Sequence, residues 1–131
     1  GLVAASAAAG AAWTLDAYAV GAAPHWGQRE TVAAYYRARR GPNEPLVAFQ
    51  MNWKGENFYT GNRLPVFLSS GPPLGPWLRA ARDAGLRTFF FTTAHGRLDE
   101  LRRALDDPPD FEVLTDRRDN DRFALVRVRF E

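Results

Sequence analysis

The sequence predicts an α/β fold: a layered, Rossmann-like domain with a mostly parallel five-stranded sheet and an antiparallel hairpin at its C-terminal edge. Three observations carry this. The runs PLVAFQM (45–51) and RTFFFTT (87–93) are apolar without alternation, as in strands buried on both faces. Segments of helical periodicity lie between such runs, the pattern of an α/β layer structure. The final run, RFALVRVRF (122–130), alternates instead, with Ala124, Val126, Val128 and Phe130 on one face and Arg127 and Arg129 on the other. That marks a strand with one wet face and places it at an antiparallel edge.

Each element follows from its residues. Residues 28–40 predict a helix, with Val32, Tyr35 and Tyr36 to one side. Glu30 opens it, Arg37, Arg39 and Arg40 crowd its last turn, and Gly41-Pro42 stops it. The first strand is expected near 46–51 and the second near 65–69, with Pro65 hinting at a sheet edge. The turn cluster GPPLGP (71–76) leads into a helix over 77–85, with Pro76 near its first position and Gly85 as its stop. The strand over 87–92 is the most apolar and belongs in the centre. Leu98, Leu101 and Leu105 define a helix over 97–107, ended by Pro108-Pro109. Strands near 111–115 and 122–130 are joined by the charged turn DRRDND (116–121).

The 131 residues amount to one domain, with 46% apolar and 24% charged residues, so pervasive disorder is excluded. The absence of cysteine excludes disulfides and thiolate chemistry. Two histidines seventy residues apart make a histidine metal site improbable, and no cofactor is expected. The pI of 9.4 reflects sixteen arginines, because formal net charge is only +2 and acids are interspersed among the cations. Nucleic-acid binding is therefore not expected. Residues 1–23 form a separate alanine-rich segment, with eleven alanines and Asp16 as the single charge. They read either as a helix packed on the 24–131 domain or as the outer end of a transmembrane helix, with Trp13 and Tyr18 suited to the interface. The chain opens on Gly rather than Met, so the expectation is a piece of a longer protein.

Ligand crevices in α/β sheets form beyond the carboxyl ends of the strands. Two segments leave buried strands there, NWKGENFYTGN (52–62) and TTAHGR (92–97). The candidate binding residues are Asn52, Trp53, Lys54, Glu56, Asn57, Tyr59 and His95. Amides and carboxylates beside aromatic faces suit a carbohydrate or polar headgroup. Lys54 is the only lysine, and a compact ammonium delivers point charge where a guanidinium fork fits poorly. The same loop also reads as plain turn chemistry, its aromatics roofing the core and Lys54 pairing with Glu56 on the surface. His95, ahead of the 97–107 helix, either touches an anion or simply ends a loop. Asp106, Asp107 and Asp110 read as solvated loop charges. Neither a P-loop nor a GxSxG elbow is present, and no carboxylate pair suggests acid–base work, so no catalytic residue is assigned.

The stretch from Pro24 to Phe67, continuing into 87–105, also carries a resemblance. His25-Trp26, Tyr35-Tyr36 and Gln50-Met51-Asn52-Trp53-Lys54-Gly55-Glu56-Asn57-Phe58-Tyr59 are its most specific parts. They resemble the C-terminal soluble region of bacterial protein-mannosyltransferase-like enzymes, membrane glycosyltransferases of GT-C architecture that use polyprenyl-phosphate sugars. The resemblance implies a polytopic membrane protein ending in a small extracytoplasmic (periplasmic) α/β domain, with residues 1–23 leaving the last membrane helix. The family's catalytic carboxylate lies in a loop near the start of the full protein, and nothing here corresponds to it. The implied role is non-catalytic: capping the membrane active site or helping acceptor recognition. The implied partners are the membrane portion of its own chain and a polyprenyl-phosphate sugar or glycan acceptor. A stand-alone module for a small polar ligand and a purely structural interaction domain are the alternatives.

Overall fold

The computed structural model describes residues 28–51, 66–67 and 74–131. The expectations for residues 1–23 and for the 52–62 loop lie outside the described residues. In chain order the elements are α1 (Arg29–Ala38), β1 (Leu46–Phe49), β2 (Val66–Phe67), α2 (Leu74–Asp83), β3 (Thr88–Ala94), a 3₁₀ turn (His95–Arg97), α3 (Leu98–Ala104), β4 (Asp110–Val113) and β5 (Phe123–Arg129).

The fold is mixed α/β. Four strands form the body of one sheet and the two-residue β2 extends it, in the order β2-β1-β3-β5-β4. The apolar run at 87–93 is indeed the central strand. β1 pairs in parallel with β2 and with β3, whereas β3–β5 and β4–β5 are antiparallel. The pairings are thus evenly split, not mostly parallel, and β5 alone runs against the other strands. The β4–β5 hairpin does end the sheet as an antiparallel edge, but its outer strand is β4 and not β5. β5 lies between β3 and β4, in register Phe91↔Val126 and Val113↔Val126. Alternation reports one partly wet face, and a wet face does not require a free edge. Arg127 and Arg129 lie on that face and pair with Glu112 and Asp110 of the neighbouring β4. Asp110 is therefore a strand residue with an ionic partner, not a loop charge.

Helices cover both faces because β1, β3 and β5 bury apolar side chains on each. On one side Val47, Phe49, Phe89, Phe91, Val126 and Val128 pack against Leu74 and Leu78 of α2 and Leu101 and Leu105 at α3. On the other, Val32 and Tyr35 of α1 pack on Leu46, Phe90 and Leu125. Phe49, Phe89, Phe90 and Phe91 are all fully buried. Each contributes about 1.5–3 kcal/mol of transfer free energy.

Element ends differ from expectation for local reasons. α1 stops at Ala38, and Arg39 is extended. The Arg39 guanidinium turns back over the Tyr35 and Tyr36 rings, 5.3 and 4.6 Å from their centroids. Tyr36 is 46% exposed and does not join Val32 and Tyr35, since it sits about 100° round the helix from Tyr35. α2 begins at Leu74, so Pro76 is its third residue, still in the first turn where N–H groups have no helical partner. Gly85 stops α2 at φ 96°, with Gly85 N donating to Arg82 O and Leu86 N to Ala81 O. That pair of bonds is a Schellman cap. α3 ends in the same way on Asp106 (φ 58°), whose N–H donates to Arg103 O while Asp107 N donates to Arg102 O. β3 runs two residues further than expected, to Ala94. No helix among the described residues is long and apolar enough to cross a membrane.

Candidate functional site at the carboxyl ends of β1 and β3

The chain leaves β1 toward β2 on one side and returns to β3 on the other, so the strand order reverses between β1 and β3. A crevice opens at the carboxyl ends of two strands related in this way. Gln50, the residue after β1, holds φ at 51°, a left-handed backbone uncommon outside glycine. Its side-chain Nε2 donates to Glu100 Oε1, and its Oε1 accepts from Arg97 Nη1 at 2.7 Å. One amide therefore ties the end of β1 to the 3₁₀ turn and to α3, between a cation and a carboxylate. Thr93 Oγ1 donates to Phe49 O at 3.0 Å and closes the β1–β3 seam just below.

His95 lies at the end of β3. Its backbone N–H donates to Arg122 O at 3.1 Å, and its ring Nε2 is 2.8 Å from Asn120 O. A carbonyl only accepts, so Nε2 carries the hydrogen. In a neutral ring Nδ1 is then the lone-pair nitrogen. Asn120 is fully buried, and its Oδ1 accepts from the N–H groups of Arg122 and Phe123, both at 2.9 Å. The charged turn is closed by its own carboxylates. Asp116 Oδ1 accepts from the N–H groups of Arg118 and Asp119, and Asp119 Oδ2 accepts from Asp116 N. Beside it is a cavity of about 430 Å³ lined by His95, Val113, Leu114, Thr115, Asp116, Arg117 and Asp119.

Of the sequence-predicted site residues, His95 is where expected, at the carboxyl end of the central strand. Asn52, Trp53, Lys54, Glu56, Asn57 and Tyr59 lie outside the described residues. Reading by residue type missed Gln50, Arg97 and Glu100. The signal was a polar residue, Gln50, at the end of an otherwise apolar run, two positions before the 52–62 segment. Chemically, Arg97 and Gln50 offer a guanidinium and an amide at the carboxyl end of β1, while the His95 ring lies at the cavity beside the charged turn; groups of these kinds suit hydroxyls or an oxyanion. Among the described residues no three His, Asp or Glu side chains come together to hold a metal ion. Comparison with protein-family models, curated proteins and solved structures finds no match.

Proposed function

We propose that this chain is the non-catalytic soluble domain of a membrane glycosyltransferase that moves a sugar from a polyprenyl-phosphate donor to a protein or envelope-glycan acceptor. In this reading it is a Rossmann-like variant on the periplasmic side, parallel across β2-β1-β3 with helices on both faces. It caps the membrane active site or helps recognise the acceptor. One observation carries the reading: Gln50, the first residue of the most specific resembling stretch, is also the residue that joins β1 to Arg97 and Glu100 at the topological switch. The 52–62 loop departs from that point, so Lys54 and its neighbours are assigned to the same working surface as His95 and Arg97.

The test has three parts. The complete reading frame should contain about ten apolar stretches of about 20 residues each. The 131-residue chain alone should transfer no sugar from a lipid-phosphate donor above a buffer blank. In the full-length enzyme, Lys54→Ala and Arg97→Ala should reduce transfer, Arg97→Ala with little change in melting temperature, because Arg97 is exposed and an exposed charged side chain contributes at most about 1 kcal/mol. Transfer by the chain alone, a reading frame without membrane spans, or undiminished transfer in both variants would overturn the proposal.

A further inference from the structure

At the amino end of β3, the other end of the strand from His95, three arginines line one cavity of about 300 Å³. Its lining is Arg79, Arg82, Asp83, Arg87 and Glu131. The fold brings these residues together. Arg79 and Arg82 are three apart on α2 and share a face of the helix. Gly85 ends α2 and turns the chain, so that Arg87 directly precedes β3. The Phe130 N–H donates to Arg87 O at 2.9 Å, which sets Glu131 beside the start of β3.

Two of the three guanidiniums are held by contacts that leave their charge in place. Arg82 lies over the Phe130 ring, 4.6 Å from its centroid. Arg87 Nη1 donates to Arg82 O at 2.7 Å and to Leu86 O at 3.0 Å. Those bonds cover carbonyls at the negative end of α2, which would otherwise disfavour an anion there. Arg79 is exposed. Among the described residues, neither Asp83 nor Glu131 forms an ion pair with any of the three arginines. Three cations against two acids leave the cavity with positive charge in excess. A guanidinium fork pairs with two phosphate oxygens at once. Two forks therefore use up the terminal oxygens of a single phosphate monoester, and a third suits a second phosphoryl group. We propose that this cavity binds a diphosphate group. The site stands independently of the glycosyltransferase reading. Its ligand is either a soluble diphosphate or the headgroup of a lipid diphosphate.

The experiment titrates the 131-residue chain with inorganic pyrophosphate, orthophosphate and geranyl diphosphate, at an ionic strength held constant with chloride so that screening does not vary. Calorimetric Kd and the arginine Nε–Hε NMR resonances are the readouts. Pyrophosphate should bind saturably, move the Arg79, Arg82 and Arg87 resonances, and bind about tenfold or more tightly than orthophosphate. Arg79→Gln and Arg82→Gln should each raise the pyrophosphate Kd about tenfold. Arg79→Gln should do so at a nearly unchanged melting temperature, because the residue is exposed. Asp83→Asn removes a charge of the ligand's own sign and should lower Kd. Tighter binding of geranyl diphosphate than of pyrophosphate assigns the lipid source, and equal or weaker binding assigns a soluble diphosphate. No saturable response, orthophosphate binding as tightly as pyrophosphate, an unchanged Kd in both arginine variants or a raised Kd in Asp83→Asn overturns the site. Arg82 and Arg87 are then only the roof of Phe130 and the cap of α2.

Discussion

At the scale of single residues, side chains that replace backbone partners have the largest effects. Asn120 does this for the chain entering β5, accepting two N–H groups through one oxygen while its own carbonyl orients His95. Asn120→Ala should cost about 1–3 kcal/mol in chemical denaturation, because the buried Phe123 N–H loses its bond to the Asn120 side chain. Asn120→Asp keeps an acceptor and should cost less; equal losses would show that the amide oxygen is not what matters. His95 was recognisable from its place after an apolar run. The tautomer that makes Nδ1 the accepting nitrogen was not, because its partner is twenty-five residues away.

At the scale of elements, helix ends separate what composition signals from what geometry demands. Gly85 could be read as a stop, and at φ 96° it serves as one. Gly85→Ala should lower stability by about 1 kcal/mol or more even though a new Cβ meets nothing within 4 Å, since the cost is backbone strain rather than a clash. Asp106 occupies the equivalent position after α3, and its carboxylate also sits at the negative end of the helix. Asp106→Gly should therefore stabilise the domain by about 0.5–1 kcal/mol, read as a higher denaturation midpoint. An unchanged or lower midpoint would mean that the aspartate is already at ease in the left-handed region. No sequence signal distinguished this aspartate from a solvated loop charge, because glycine, the usual marker of the conformation, is absent there.

At the scale of the whole molecule, the sheet is held by aromatic side chains alternating between two helical layers. Phe90 serves the α1 side alone among the phenylalanines of β3. Phe90→Ala should cost about 3–5 kcal/mol, a large share of the roughly 5–15 kcal/mol expected for a domain, and a thermal melt would show it at once. A loss under 1 kcal/mol would mean that α1 is not anchored through this ring. The amino-acid sequence by itself determined which segments are strands and helices and which strand is central. It also placed His95 at the end of that strand. Those properties follow from local hydrophobic period and from how completely a run is apolar. Only the tertiary structure decided that β5 lies inside the sheet with β4 at its edge and that Gln50 bridges Arg97 and Glu100. Strand order and side-chain convergence depend on which distant segments meet, and an alternating pattern is equally satisfied by an edge strand or by an interior strand with a charged neighbour.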